Sequence, residues 1–492
     1  MDITTKQIIC SRVPNIRVYE RELEYDTALP DYLPDISRPL FVTAHAGQAE
    51  IVPEGEKATI RAEISYELTY ESDYKGKLRT ATFTGIFTQK TDMPESALRL
   101  CLIRVAPQSS ICKMLNPRRF LVRTHMICEL RSRNQQNATV LSAETSGCCI
   151  LTDSIGLAQY GFGNTTQPVS ETFSVGDAGN IADIVSSVCA TKEAVCTCSE
   201  GYVTVSSAVD FSVVYEREGD GALTTVSRNV PFSCMVDCDF SHEGATAIAF
   251  IDTASMTAES GIDAYGDSKN ITVSAKLSVA VCSVAEGTQT IVKDIFLPGY
   301  NGEPKFEALS YAGNTVTDRI PWTLVHTFAE HTDVSRILLH NVNVRVAETR
   351  VEEAQTQIKS IVTATALFEK AGEVQSAELS TVFDFPIPTT NVTEIIPELR
   401  SSILTAENGG LELKVEGIYT YRRDDELEVK TVCAFTEGEE ITRAHPISVF
   451  FAAEGDELWE IAKSHSVDIE KLRDANPACR DGLHAGTRII IT

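Results

Sequence analysis

The sequence predicts a mainly β protein: three tandem β-rich repeat domains followed by a small α+β domain of order β-α-α-β. Three observations carry this. Apolar residues recur at every second position through most of the chain, the pattern of strands with one buried face. One such strand occurs three times with the same ending: an aromatic residue, a Glu, then a Gly-containing turn. Only near the C-terminus does the apolar period lengthen to that of amphipathic helices.

The first copy of the strand places Ile60, Ala62, Ile64, Tyr66, Leu68 and Tyr70 on one face. The second does so with Val205, Ser207, Val209, Phe211, Val213 and Tyr215, and the third with Ile358, Val362, Ala364, Ala366 and Phe368. Glu71, Glu216 and Glu369 follow the aromatics, and the turns carry Gly76, Gly219 with Gly221, and Gly372, a hairpin signal. Upstream lie PDISRPL, ADIVSSV and TDVSRIL; downstream lie FLVRTHMICEL, NITVSAKLSVAV and LELKVEGIYTY. The spacing of about 150 residues lets each unit bury its own core, so the pattern is domain triplication and not a solenoid. The expected bounds are 1–140, 165–290 and 300–436, with a last domain at 447–492. Joints are expected at 137–175, 287–308 and 436–446, the first because GLAQYGFGNTTQPVS is rich in Gly and polar residues.

The 492 residues carry a formal net charge of −26. That argues against nucleic acid, whose binding needs a basic surface, and against anionic membranes. The opening MDITTKQIICSRVPNIRVYE has no apolar core of a secretory signal, and no apolar run reaches the length of a membrane span. A cytoplasmic location without membrane insertion is expected, with the 14 cysteines as thiols. Cys196, Cys198, Cys234 and Cys238 fit no common zinc spacing, so no metal or other cofactor is expected. No P-loop, Gly-rich dinucleotide loop, HExxH or GxSxG motif is present, and no catalytic residue is assigned.

In the last domain, Ile447–Ala453 reads as a strand. Gly455-Asp456 is a turn, with Asp456 placed to cap the next helix. Leu458, Ile461 and Ala462 form the buried stripe of that helix, and Asp468 caps a second one carrying Ile469, Leu472 and Ala475. Asn476-Pro477 stops the second helix, and TRIIIT closes the domain as a strand.

This stretch resembles a LysM domain. Gly455, Asp456, Leu458, Trp459, Ile461, Ala462, Val467, Leu472, Ala475, Asn476, Pro477, Leu483, Gly486 and Ile489 match the family pattern; Glu457 and Ala485 depart from it. LysM modules bind N-acetylglucosamine polymers such as peptidoglycan or chitin. The resemblance implies a groove with Gly455, Asp456, Glu457 and Leu458 on one lip and 477–483, including Pro477 and Leu483, on the other, beside Asn476. Trp459 lies next to it, either offering a flat face to sugar or protein or partly buried against the helix pair.

ALPDYLPDISRPL resembles the opening of the SPOCS domain of spore-coat proteins. Tandem SPOCS repeats with one C-terminal LysM are similar to the SipL-type coat morphogenesis family. That resemblance implies a non-enzymatic adaptor in the mother-cell cytoplasm at the forespore surface. Its LysM domain there contacts a coat basement-layer ATPase of the stage IV sporulation protein A type. The alternative is a peptidoglycan-binding wall protein acting through the LysM groove. Self-association through edge strands is a further possibility.

Overall fold

The computed structural model describes residues 3–74, 76–93, 101–407, 409–442, 447–479 and 482–491. The strands up to residue 440 fall into three sets. The first holds β1 (Thr5–Ala28), β2 (Ile36–Ala46), β3 (Glu50–Glu54), β4 (Lys57–Ser72), β5 (Leu78–Asp92), β6 (Cys101–Asn116) and β7 (Arg119–Leu141). The second holds β8 (Cys149–Ser174), β9 (Ile181–Thr191), β10 (Val195–Ser199), β11 (Tyr202–Arg217), β12 (Leu223–Asp237), β13 (Thr246–Gly261) and β14 (Asn270–Phe296). The third holds β15 (Tyr300–Phe328), β16 (Val334–Glu352), β17 (Gln355–Lys370), β18 (Glu373–Ile387), β19 (Val392–Glu407) and β20 (Gly410–Glu440).

Each set builds the same pair of antiparallel sheets. One is β1-β7-β6, then β8-β14-β13, then β15-β20-β19. The other centres on β4, β11 or β17, flanked on one side by the hairpin partner β5, β12 or β18. On the opposite edge β2 and β3 share β4, and β9 and β10 share β11. In the third set the single strand β16 spans that whole edge, passing the break with a bulge between Val346 and Glu348. The alternation in the central strands is what makes this a sandwich: Ile60, Ile64, Leu68, Val205, Phe211, Tyr215, Ile358 and Val362 are fully buried between their two sheets.

The three sandwiches close into a ring. Thr80 Oγ1 donates to Val185 O at 2.5 Å, and Thr225 Oγ1, at the same position of the next repeat, donates to Leu338 O at 2.9 Å. Arg38 Nη2 completes the circuit by donating to Val374 O at 2.9 Å. Leu40, Phe41, Val185, Val188, Leu338 and Leu339 meet as one apolar hub. The repeated Glu after each aromatic holds a cation: Glu71 pairs with Arg38 at 2.8 Å and Glu369 with Arg336 at 2.7 Å. The second repeat has Asp183 in the register position of those arginines. Its two acids are neutralised from the first repeat, Glu216 by Lys77 at 2.9 Å and Asp183 by Arg79 at 2.7 Å. A local charge conflict thus becomes an inter-repeat contact.

Below the sandwiches the outer strand pairs continue as three long ribbons: 5–12 with 134–141, 149–162 with 282–296, and 300–312 with 426–440. They pack on one another as a stalk. Ile8, Val140, Leu157, Ile291, Leu309 and Tyr311 share one cluster, and Leu141, Val292, Ile295, Val432 and Phe435 share the next. At about 3.3 Å per residue, the stalk part of β14 spans roughly 45 Å.

A buried ionic neck joins stalk and sandwiches. Arg131, Cys282 and Arg422 occupy corresponding positions of β7, β14 and β20. Arg131 bridges Glu129 at 2.7 Å and Glu394 at 2.7 Å, and Arg422 reaches Glu394 at 3.3 Å. The Arg422 guanidinium also donates to Cys282 Sγ at 3.4 Å.

The structure corrects the expected boundaries. The second repeat begins with β8 at Cys149, not at 165, and GLAQYGFGNTTQPVS is strand and not linker. Its glycines answer to packing: a Cβ on Gly161 would lie 1.6 Å from Asp239 O, and one on Gly163 2.0 Å from Asp237 O. The 137–175 joint shrinks to a short turn after Leu141. The 287–308 joint is the end of β14 and the start of β15, and β20 runs on to Glu440, past 436. Of the third joint, 443–446 lie outside the described residues.

Candidate recognition site

The last domain comprises β21 (Ser448–Phe451), α1 (Leu458–Ser464), α2 (Ile469–Ala475) and β22 (Arg488–Ile491). β21 pairs antiparallel with β22, Ser448 opposite Ile491 and Phe451 opposite Arg488. The helices cover one face of this two-stranded sheet. Ala452, Ile461, Ala462, Val467, Leu472, Ile489 and Ile491 form the core.

The two lips are set by turn chemistry. Gly455 has φ +89°, a left-handed conformation that L side chains rarely adopt. Asp456 does not cap α1. Its Oδ2 accepts from Ala453 N at 2.8 Å and closes the 453–456 turn, while Glu457 takes the N-cap position without a side-chain bond. The carboxylate prefers the amide three residues behind because the Gly455 turn points it there. Asp468 does cap α2, accepting from Glu470 N at 2.9 Å and Lys471 N at 3.1 Å. Behind the lips, the two loops that carry them are tied where Gly486 N donates to Ala452 O at 2.7 Å and Ala452 N to Thr487 O at 2.9 Å.

Of the residues assigned to the groove, Gly455, Glu457 and Pro477 are exposed, and Asp456 is partly exposed. Leu458 and Leu483 are half-buried and pack against the domain core. Arg480 and Asp481, within the expected second lip, lie outside the described residues.

Two assignments change. Asn476 is buried: its Nδ2 donates to Leu472 O at 2.9 Å and Ile490 O at 2.7 Å, and its Oδ1 accepts from Ile490 N at 2.7 Å. With both amide hydrogens used it latches α2 to β22 and offers nothing to a ligand. Trp459 is 5% exposed and turned away from solvent. Its Nε1 donates to Asp294 Oδ2 at 2.8 Å, and its ring meets Phe296 edge-on at 5.0 Å. The burial is not against the helix pair alone but against β14, at the tip of the stalk.

Trp459 is the centre of a dock that the sequence did not reveal. Lys463, one helical turn on, donates to the same Asp294 Oδ2 at 2.6 Å. Ser466, held at φ +52°, accepts from Gly299 N through its O at 3.0 Å and through its Oγ at 2.9 Å. Cys149 and Leu151 of β8 join the apolar cluster from the other ribbon strand. Burial pushes the Cys149 thiol pKa up, partly offset by the Ile469 N–H that it accepts. The one visible signal was Asp294 itself, a carboxylate that with Lys293 interrupts the apolar residues of IVKDIFL.

Among the described residues no helix is long and apolar enough to cross a membrane. No curated protein and no solved structure matches the chain. Residues 453–492 match the LysM domain family. The chain therefore carries a C-terminal LysM domain, mounted at the end of a mainly β body.

Proposed function

We propose that this protein is a non-enzymatic scaffold of spore-envelope assembly, working in the mother-cell cytoplasm at the forespore surface. Its LysM lips recognise a coat basement-layer ATPase of the stage IV sporulation protein A type. The observation that carries this reading is the dock. A free recognition module has no need to bury its one tryptophan on its own chain, whereas a scaffold must hold its head in a set direction. The order of three SPOCS-like repeats and one LysM supports the coat assignment.

The lips favour a protein surface. With Trp459 facing the stalk, exposed Gly455, Glu457, Pro477, Ala478 and Gly482 present no aromatic plate for a sugar ring. Glu454 and Glu457 are exposed, and Asp456 adds charge beside them, which suits a basic patch. The second reading, a peptidoglycan or chitin-like ligand, is favoured by the family match at 453–492.

Calorimetry on the full chain separates the two. The ATPase and chito-oligosaccharides are titrated in turn. Heat with the ATPase and none with about millimolar sugar supports the adaptor. Heat with sugar alone replaces it with the wall-binding reading.

A further inference from the structure

A chamber of about 410 Å³ lies on the axis of the ring, between the apolar hub and the ionic neck. His45, Ala190 and Asn343 line it from the corresponding position of the three repeats, opposite Ser65, Asp210 and Thr363. Two residues on, the same edges carry Gly47, Lys192 and Arg345. Val18, 54% exposed, and Glu20 stand at the mouth on β1. Most of the charged groups around the chamber are committed. Arg104 binds Asp252 at 2.6 Å, Lys192 pairs with Asp210 at 2.8 Å, Arg131 holds Glu129 at 2.7 Å and Arg319 holds Glu398 at 3.2 Å. One pair of opposite charges is not. Arg345 Nη1 stands 3.5 Å from Glu20 Oε1, across the seam that joins the third repeat to the first. Neither side chain makes a hydrogen bond among the described residues, and the other neighbour of Glu20 is the His125 ring, also at 3.5 Å. Toward the hub, the His45 imidazole and the Asn341 amide line the chamber, again without a side-chain hydrogen bond among the described residues. Burial pushes the His45 pKa down to about 4, so the imidazole is neutral above that pH.

We propose that the chamber binds a free α-amino acid with a polar, uncharged side chain. Its carboxylate takes the Arg345 guanidinium, its ammonium takes Glu20, and its side chain points to His45 and Asn341. None of this depends on what the LysM lips recognise. A zwitterion carries opposite charges on neighbouring groups, as the Arg345–Glu20 pair does. Both unbonded side chains then exchange one loose contact for charge-assisted hydrogen bonds of about 2.8 Å. A simple anion would meet Arg345 but stand against Glu20, and a simple amine would do the reverse. At the inner end, an amide or hydroxyl gives the imidazole and the carboxamide the partners that polar groups deep in a protein take. A charged side chain finds no opposite charge there to offset its lost hydration. Asn341 lies roughly 13 Å from Arg345 along β16, so glutamine, with the longest uncharged polar side chain, spans the chamber best. The volume falls within the roughly 300–1,000 Å³ of small-molecule sites.

Calorimetry on the full chain with L-glutamine as the probe tests this. The wild type is expected to bind it with a Kd of about 0.01–1 mM. Two analogues separate the charges: glutaramate lacks the ammonium, and γ-aminobutyramide lacks the carboxylate. Each is expected to bind at least about tenfold more weakly. Arg345→Gln and Glu20→Gln are expected to weaken L-glutamine binding by the same factor. Their side chains are 26% and 49% exposed, so neither change leaves a buried charge alone, and an unchanged melting temperature checks the fold. Arg350→Gln, on the same strand but paired with Glu348, is expected to leave binding as it was. A wild type that binds no L-glutamine at about 10 mM overturns the proposal. So does binding that Arg345→Gln or Glu20→Gln leaves unchanged, or that either analogue matches.

Discussion

Replacing Asp294 with alanine is expected to undock the LysM domain without unfolding it. The carboxylate receives two bonds from α1, from Trp459 Nε1 at 2.8 Å and Lys463 Nζ at 2.6 Å. Losing the first leaves an indole N–H buried without a partner, a cost of about 1–3 kcal/mol. The second adds less, because the Lys463 side chain is 34% exposed and water screens it; about 0.5–1 kcal/mol is a fair allowance. Together the dock loses about 1.5–4 kcal/mol. The reporter is the Gly299 amide, which bonds only across the dock, to Ser466 O and Oγ. If it exchanges by undocking, its hydrogen exchange accelerates roughly 10- to 1,000-fold. Trp459 emission shifts to the red, while Trp322, 3% exposed in the third sandwich, stays as an internal reference. Asp294→Asn keeps the acceptor for the indole and is expected to accelerate exchange less than about tenfold. Unchanged Gly299 protection in the alanine variant refutes the assigned role. Equal loss of protection at Ile490, whose amide is held inside the module by Asn476, shows that dock and fold are one unit and refutes the separation.

Three further expectations concern stability. Glu394→Ala leaves Arg131 and Arg422 facing each other in the buried neck and is expected to cost about 3–5 kcal/mol in denaturant unfolding. Asn476→Ala removes three bonds that close the LysM domain; it is expected to lower the melting transition of that domain while the sandwiches melt as before. Glu67, beside the inter-repeat seam at Ser187 N, has its pKa pushed up to about 7 by burial. The folded state then holds a proton that the unfolded chain has released above about pH 4.5, so this residue's contribution is full below that pH and is lost as pH rises through about 7. Glu67→Gln is therefore expected to be more stable than wild type at alkaline pH and to flatten the loss between about pH 4.5 and 7. A stability difference between the two proteins that does not change with pH would count against the buried, protonated carboxyl.

The strand pattern was readable because the pleat repeats every two residues, and burial on one face writes itself directly into the alternation. Tyr70, Tyr215 and Phe368 are all buried where their copies placed them. The helical module was readable for the same reason at a different period, with Ile461, Ala462 and Leu472 in its core. Gly161 and Gly163 misled, since a glycine required by a close backbone reads in sequence like a glycine in a linker. Asn476 was placed in the right domain but given the wrong task; of the two tasks left open for Trp459, burial is the one it performs, against β14 as well as the helices. A side chain's type shows what it can bond to, not what stands 3 Å away.

The sequence by itself determined the fold class, the threefold recurrence of the central strand and its turn, and the order of the C-terminal module. All are local properties, written within one or two turns or strands. Only the tertiary structure decided that the repeats close into a ring, that their outer strands run on as a stalk, and that Trp459 is spent on Asp294. Those contacts join residues more than a hundred positions apart. Such partners meet only once the chain has folded, because nothing in either segment alone specifies the distance between them.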